Sequence, residues 1–124
     1  MDKSELGKKL VELVRQRDWV TFVEVAELLE DHGVNTKGNN SYEAQMDNVI
    51  FWDGMSSEMI EVFEPLLGNK ELFFHPMKQM DLHVLLLYGG CLKIPIVKHL
   101  PPGGFKTPHW LPVYFRTVPI KRRR

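Results

Sequence analysis

The feature that most constrains this chain is a change in the period of its apolar residues near position 71. Before it, apolar residues recur three and four apart: Leu6, Leu10, Leu13 and Val14, then Val25, Ala26, Leu28 and Leu29, then Met59, Ile60, Phe63 and Leu67. That spacing places each set on one side of a helix. After it, the apolar residues fall in short runs, Leu72–Met77, Leu82–Tyr88, Cys91–Val97 and Trp110–Arg116, separated by turn residues. Such runs read as strands. Helices first and strands second define an α+β chain.

Local signals sharpen the boundaries. Asp2 followed by Glu5 fits a capping box and opens a helix over about 4–17, with Arg15 and Arg17 suiting its negative end. Trp19–Phe22 reads as a stub of strand. Thr21 with Glu24 caps a second helix, which Gly33 ends because glycine enters the left-handed region freely. Residues 34–47 are polar and read as a loop. Asn48–Trp52 predicts a strand ending at Asp53-Gly54. Ser56 caps a third helix, and Pro65 predicts a kink or stop near Glu64.

In the second half, Lys78–Asp81 reads as a turn and Gly89-Gly90 as a two-residue hairpin loop. That hairpin would place Leu85, Leu87, Leu92, Ile94 and Ile96 on one buried face. Pro95, Pro112 and Pro119 push their strands toward sheet edges. Leu100–Pro108 is rich in glycine and proline and reads as an irregular loop. This order of elements over residues 4–97 is similar to that of winged-helix domains. The resemblance implies three helices backed by an antiparallel sheet, with the Gly/Pro loop in the place of the wing. Residues 1–120 then form one winged-helix-like α+β domain, and 121–124 a basic tail.

Composition removes several classes of function. Cys91 is the only cysteine among 124 residues, so neither an intrachain disulfide nor a zinc site of four cysteines, or of two cysteines and two histidines, can form. The charged first residues lack the apolar core of a signal peptide, and Val84–Tyr88 is far shorter than the roughly 20 residues of a membrane span. A cytoplasmic protein without membrane contact is expected. The histidines His32, His75, His83, His99 and His109 show no ligand spacing. A turn pairing Met77 with Leu82 would aim His75 and His83 at opposite faces. The serines sit at caps and loops, Cys91 reads as a small packed hydrophobe, and Glu58, Glu61 and Glu64 read as a solvated helix face. The reading is therefore non-enzymatic, without metal or cofactor.

The zero net charge hides a division. Residues 1–66 hold 6 Lys+Arg against 14 Asp+Glu, a net of −8, and residues 67–124 hold 10 against 2, a net of +8. The basic half also carries aromatic residues, the combination that nucleic-acid binders use for phosphates and bases. The candidate contacts are Lys98, Lys106, His109, Arg116, Lys121, Arg122, Arg123 and Arg124. The expected role is binding an anionic partner, either a nucleic-acid (DNA) backbone or an acidic protein surface. The alternative is a protein-interaction or self-assembly module, a homo-oligomer in which the acidic half of one copy meets the basic half of the next.

Overall fold

The computed structural model describes residues 1–87, 89–99 and 103–120. It is a small α+β domain whose elements run α1 (Lys3–Arg17), α2 (Phe22–Asp31), β1 (Lys37–Glu43), β2 (Val49–Met55), α3 (Ser57–Gly68), β3 (Phe73–Pro76), α4 (Gln79–Leu87), β4 (His109–Trp110) and β5 (Val113–Arg116).

The first helices form where their caps predict. The Asp2 carboxylate accepts from the Glu5 amide at 2.8 Å, and Thr21 with Glu24 makes a reciprocal capping box. Gly33, at φ +81°, follows α2, and its amide donates to the Glu30 carbonyl. Ser56 caps α3 by accepting from Met59. Pro65 does not stop that helix, which runs on to Gly68. Its ring faces solvent beside exposed Glu61, whose carbonyl is the one a proline at 65 leaves without an amide partner. The turn after it is closed by Asn69, whose amide donates to the Pro65 carbonyl at 2.9 Å.

Two sheets lie against these helices. β1, β2 and β4 form one, with β1 antiparallel and β4 parallel to β2; β3 and β5 form an antiparallel pair. The expected loop at 34–47 is in part the strand β1. It is almost wholly exposed, so it carries no apolar alternation to betray it. Its pairing with β2 is bulged, and a side chain at Gly38 would sit 2.6 Å from the Met55 carbonyl oxygen. β2 continues through Asp53-Gly54 to Met55, because Gly54 takes φ +79° within the strand. The stub at Trp19–Phe22 reduces to Val20, which exchanges both backbone hydrogen bonds with Phe115.

The largest correction concerns the expected hairpin at 82–97. Residues 79–87 are a helix, and Gly89-Gly90 ends it rather than reversing a strand. The amides of Gly89 and Gly90 donate to the carbonyls of Leu86 and Leu85, with Gly89 at φ +75°. At the other end Asp81 reaches back to the Lys78 amide at 3.2 Å, half of a capping box. Leucine favours a helix and Val84 is the one β-branched residue in the segment, so local preference supports the helix too. Of the expected strand at 91–97, Ile96 alone makes a bridge, parallel to Trp110. The expected last strand is broken at Leu111-Pro112 into β4 and β5, one for each sheet. The Pro112 carbonyl accepts from the Met77 amide at 2.8 Å. A β-hairpin thus stands between α2 and α3, and a fourth helix replaces the second hairpin. Both differ from the three-helix order expected from the sequence.

The main core centres on Phe22, which touches the rings of Trp52, Phe63, Phe74 and Phe115. A second cluster of Met77, Leu85, Trp110 and Tyr114 lies under α4. The Trp110 indole is fully buried and its N–H donates to the Phe51 carbonyl at 3.0 Å.

Candidate functional site

Where α1 ends, the chain must turn sharply to bring Val20 beside Phe115. It does so through two consecutive non-glycine residues at positive φ, Asp18 at 54° and Trp19 at 50°. Each such residue costs about 1–2 kcal/mol. Surrounding bonds hold the conformation. The Asp18 amide donates to the Val14 carbonyl, and its carboxylate accepts from its neighbour's amide. The same carboxylate takes both Nε and Nη2 of Arg116, at 2.8 and 2.7 Å. That bidentate bond holds the Asp18 carboxyl below its ordinary value and raises the Arg116 guanidinium above its own. The guanidinium lies 3.8 Å over the centre of the Trp19 ring.

Trp19 is nevertheless 48% exposed, with the rings of His75 and Tyr114 meeting it edge-on. These rings, with Pro76, Lys78, Asp81 and Ile120, line a cleft of about 590 Å³. Tyr114 is pushed up to about 12, by burial first and then by the neighbouring Asp81 carboxylate, so its phenol stays protonated at neutral pH. His75 Nε2 stands 2.6 Å from the Val118 carbonyl, which it reaches only as a donor, leaving Nδ1 as the acceptor of the neutral ring. A groove of comparable volume between α1 and α3 is walled by charged side chains, among them the Lys3–Glu61 ion pair, and presents no aromatic ring.

The structure divides the expected basic residues between two places. At one end of β4, the Gly103–Pro108 loop is fastened to the β1–β2 turn. The Phe105 amide donates to the Asp47 carbonyl, and the Asn48 side chain donates to the Phe105 carbonyl, both at 2.9 Å. A side chain at Gly104 would lie 2.4 Å from the Asp47 carbonyl oxygen, so only glycine fits there. Phe105 stacks on His109 at 3.8 Å, and Lys106 is exposed beside them. Lys98 is exposed two residues past the Ile96–Trp110 bridge. Arg116 lies past the far end of β4, seven residues beyond His109 and so up to about 23 Å away along extended chain. It is engaged by Asp18 and Trp19 rather than free. Lys121, Arg122, Arg123 and Arg124 lie outside the described residues.

Sequence reasoning passed over Trp19, His75, Lys78 and Tyr114. The one available signal was Trp19 itself, a large ring in a short connection between two helices and outside either apolar stripe. Its partner Arg116 is 98 residues from Asp18, beyond the reach of local pattern. No family model matches this sequence, and comparison with curated proteins and with solved structures returns no match.

Proposed function

We propose that this protein is a non-enzymatic binding module for an anionic partner, a single-stranded nucleic-acid segment, engaged at the Trp19 cleft. One observation carries the reading. A half-exposed indole, held in place by a stacked guanidinium and two residues at positive φ, shares its cleft with Ile120, after which Lys121–Arg124 follow directly in sequence. An exposed ring stacks on a base, and nearby cations hold phosphates. Lys78 lines the same cleft. The Phe105–His109 stack with Lys106 repeats the combination of flat rings and charge at the other end of β4. Lys98 adds a second phosphate contact.

Duplex reading through α3, as a winged-helix-like domain would do it, is not part of the proposal. Glu58, Glu61 and Glu64 are exposed on that helix and would repel phosphate.

The test is fluorescence anisotropy of labelled single-stranded DNA at roughly 50 and 200 mM salt. Binding should fall steeply with salt and weaken about 5- to 100-fold in Trp19→Ala, the loss of one stacked base. No binding at low salt, or binding indifferent to Trp19, would sink the reading. A second reading, a protein-interaction or self-assembly module, is favoured by the exposure of Val84, Leu86 and Leu87 on α4. Oligomers that form without nucleic acid and respond to substitutions on α4 would select it.

A further inference from the structure

Beyond β5 the chain runs beside the cleft just described and reaches its wall at Ile120. Thr117–Ile120 belongs to no helix or strand, and Pro119 brings no amide hydrogen. Val118 is 44% exposed and Ile120 52%, so each rests on the protein by one side only. Among the described residues, one hydrogen bond ties the segment to the body, from His75 Nε2 to the Val118 carbonyl. Its donor belongs to the ring that meets the edge of Trp19, and Ile120 forms part of the wall of the same cleft.

We infer that residues 117–120 are a strap across the Trp19 cleft, latched by His75, which sets how much of the indole a partner can reach. The strap is hinged where β5 ends at Arg116, a residue fixed by its bidentate bond to Asp18, so motion beyond it need not disturb the core. Seating the strap places Ile120 against the rings and narrows the cleft. Releasing it uncovers the indole while leaving Trp19 in position, because Asp18, Arg116 and Tyr114 hold the ring independently of the strap. The inference rests on the cleft being the binding site. It adds that this site exists in a covered and an open state whose ratio hangs on one exposed hydrogen bond. Loss of such a bond shifts that ratio about two- to tenfold, and affinity for a partner of the open state rises by up to the same factor.

Acrylamide quenching in the absence of any ligand tests the strap, with the Trp19 component taken as the difference between each protein and the same protein carrying Trp19→Phe. His75→Phe keeps a ring against Trp19 but removes the donor, and should raise the quenching constant. His75→Gln keeps an amide donor at similar reach and should restore the wild-type value. Deleting residues 118–124 should raise quenching at least as far as His75→Phe, whereas deleting 121–124 should leave it unchanged. Wild-type quenching after deletion of 118–124, or in His75→Phe, overturns the inference. If quenching changes as expected but labelled single-stranded DNA binds neither wild type nor His75→Phe, the strap stands and the nucleic-acid reading falls.

Discussion

Helices α3 and α4 are both short, both follow a strand or turn, and both lie over aromatic clusters, yet they are held in different ways. α3 buries Met59, Val62, Phe63 and Leu66 and turns Glu58, Glu61 and Glu64 outward. Its place is set by two-sidedness. α4 buries Leu85, half-buries Leu82, and leaves Val84, Leu86 and Leu87 exposed, Leu87 at 86%. Its place is set by its ends, Asp81 on the Lys78 amide and the glycine pair beyond Leu87. A helix fixed by its face shares the stability of the core. One fixed by its ends sits nearer the low-stability end of the range found within a protein.

The sharpest way to break that comparison is to remove Phe63, which meets Phe22, Tyr42 and Phe115. Phe63→Ala should cost about 3–5 kcal/mol of global stability in urea denaturation. A loss below about 1 kcal/mol would show that α3 is not the anchor described here. Gly90→Ala tests the other helix. A methyl there would lie 2.8–3.0 Å from side-chain atoms of Val23, Trp52 and Leu85, so either those side chains or the end of α4 must shift, at about 1–3 kcal/mol. Wild-type stability would mean that α4 floats free of its terminal contact.

The two tyrosines serve as one reporter for each region. Tyr42, whose phenol has Glu64 of α3 beside it, and Tyr114, which has Asp81 of α4, are both pushed up to about 12, by burial first. A phenol whose value is raised on folding stabilises the folded protein below about pH 10, and that contribution is lost as the pH rises from about 10 toward 12. Each should contribute at most about 1.4 kcal/mol of this loss at pH 11. Tyrosinate absorbance in Tyr42→Phe and Tyr114→Phe assigns the two titrations. If α4 opens locally, Tyr114 ionises at lower pH than Tyr42; equal titration would place the helices on the same footing. The smallest effect belongs to Leu87→Ser, which should stay within about 0.5 kcal/mol of wild type. Amide exchange in α4 should in either protein outpace that in α3.

This contrast also explains what could be read from the residues. Helices α1 to α3 were legible because apolar spacing, capping side chains and stop residues agree in each. α4 was misread because Gly-Gly serves equally as a hairpin loop and as a helix end, and an apolar run of five fits either. The arbiter, Asp81 reaching back to the Lys78 amide, is half of a capping box without its usual Ser or Thr. β1 escaped notice because an exposed, bulged strand of Asn, Ser and Gly shows no alternation. Of the candidate binding residues, the charged ones drew notice in the sequence and the rings of the Trp19 cleft did not. Lys98, Lys106 and His109 stand out from the local sequence. Arg116 looks like one more free cation until Asp18, almost a hundred positions earlier, is set beside it.

That pairing bears on how the protein is made. Val20 waits for Phe115, Asp18 waits for Arg116, and the ring of Phe22 waits for that of Phe115. A ribosome delivering the chain from its first residue therefore releases both opening helices long before the strand that locks them exists. During that interval the apolar faces around Phe22 and Phe63 are open to other nascent chains and to chaperones. That interval ends only when β5 emerges.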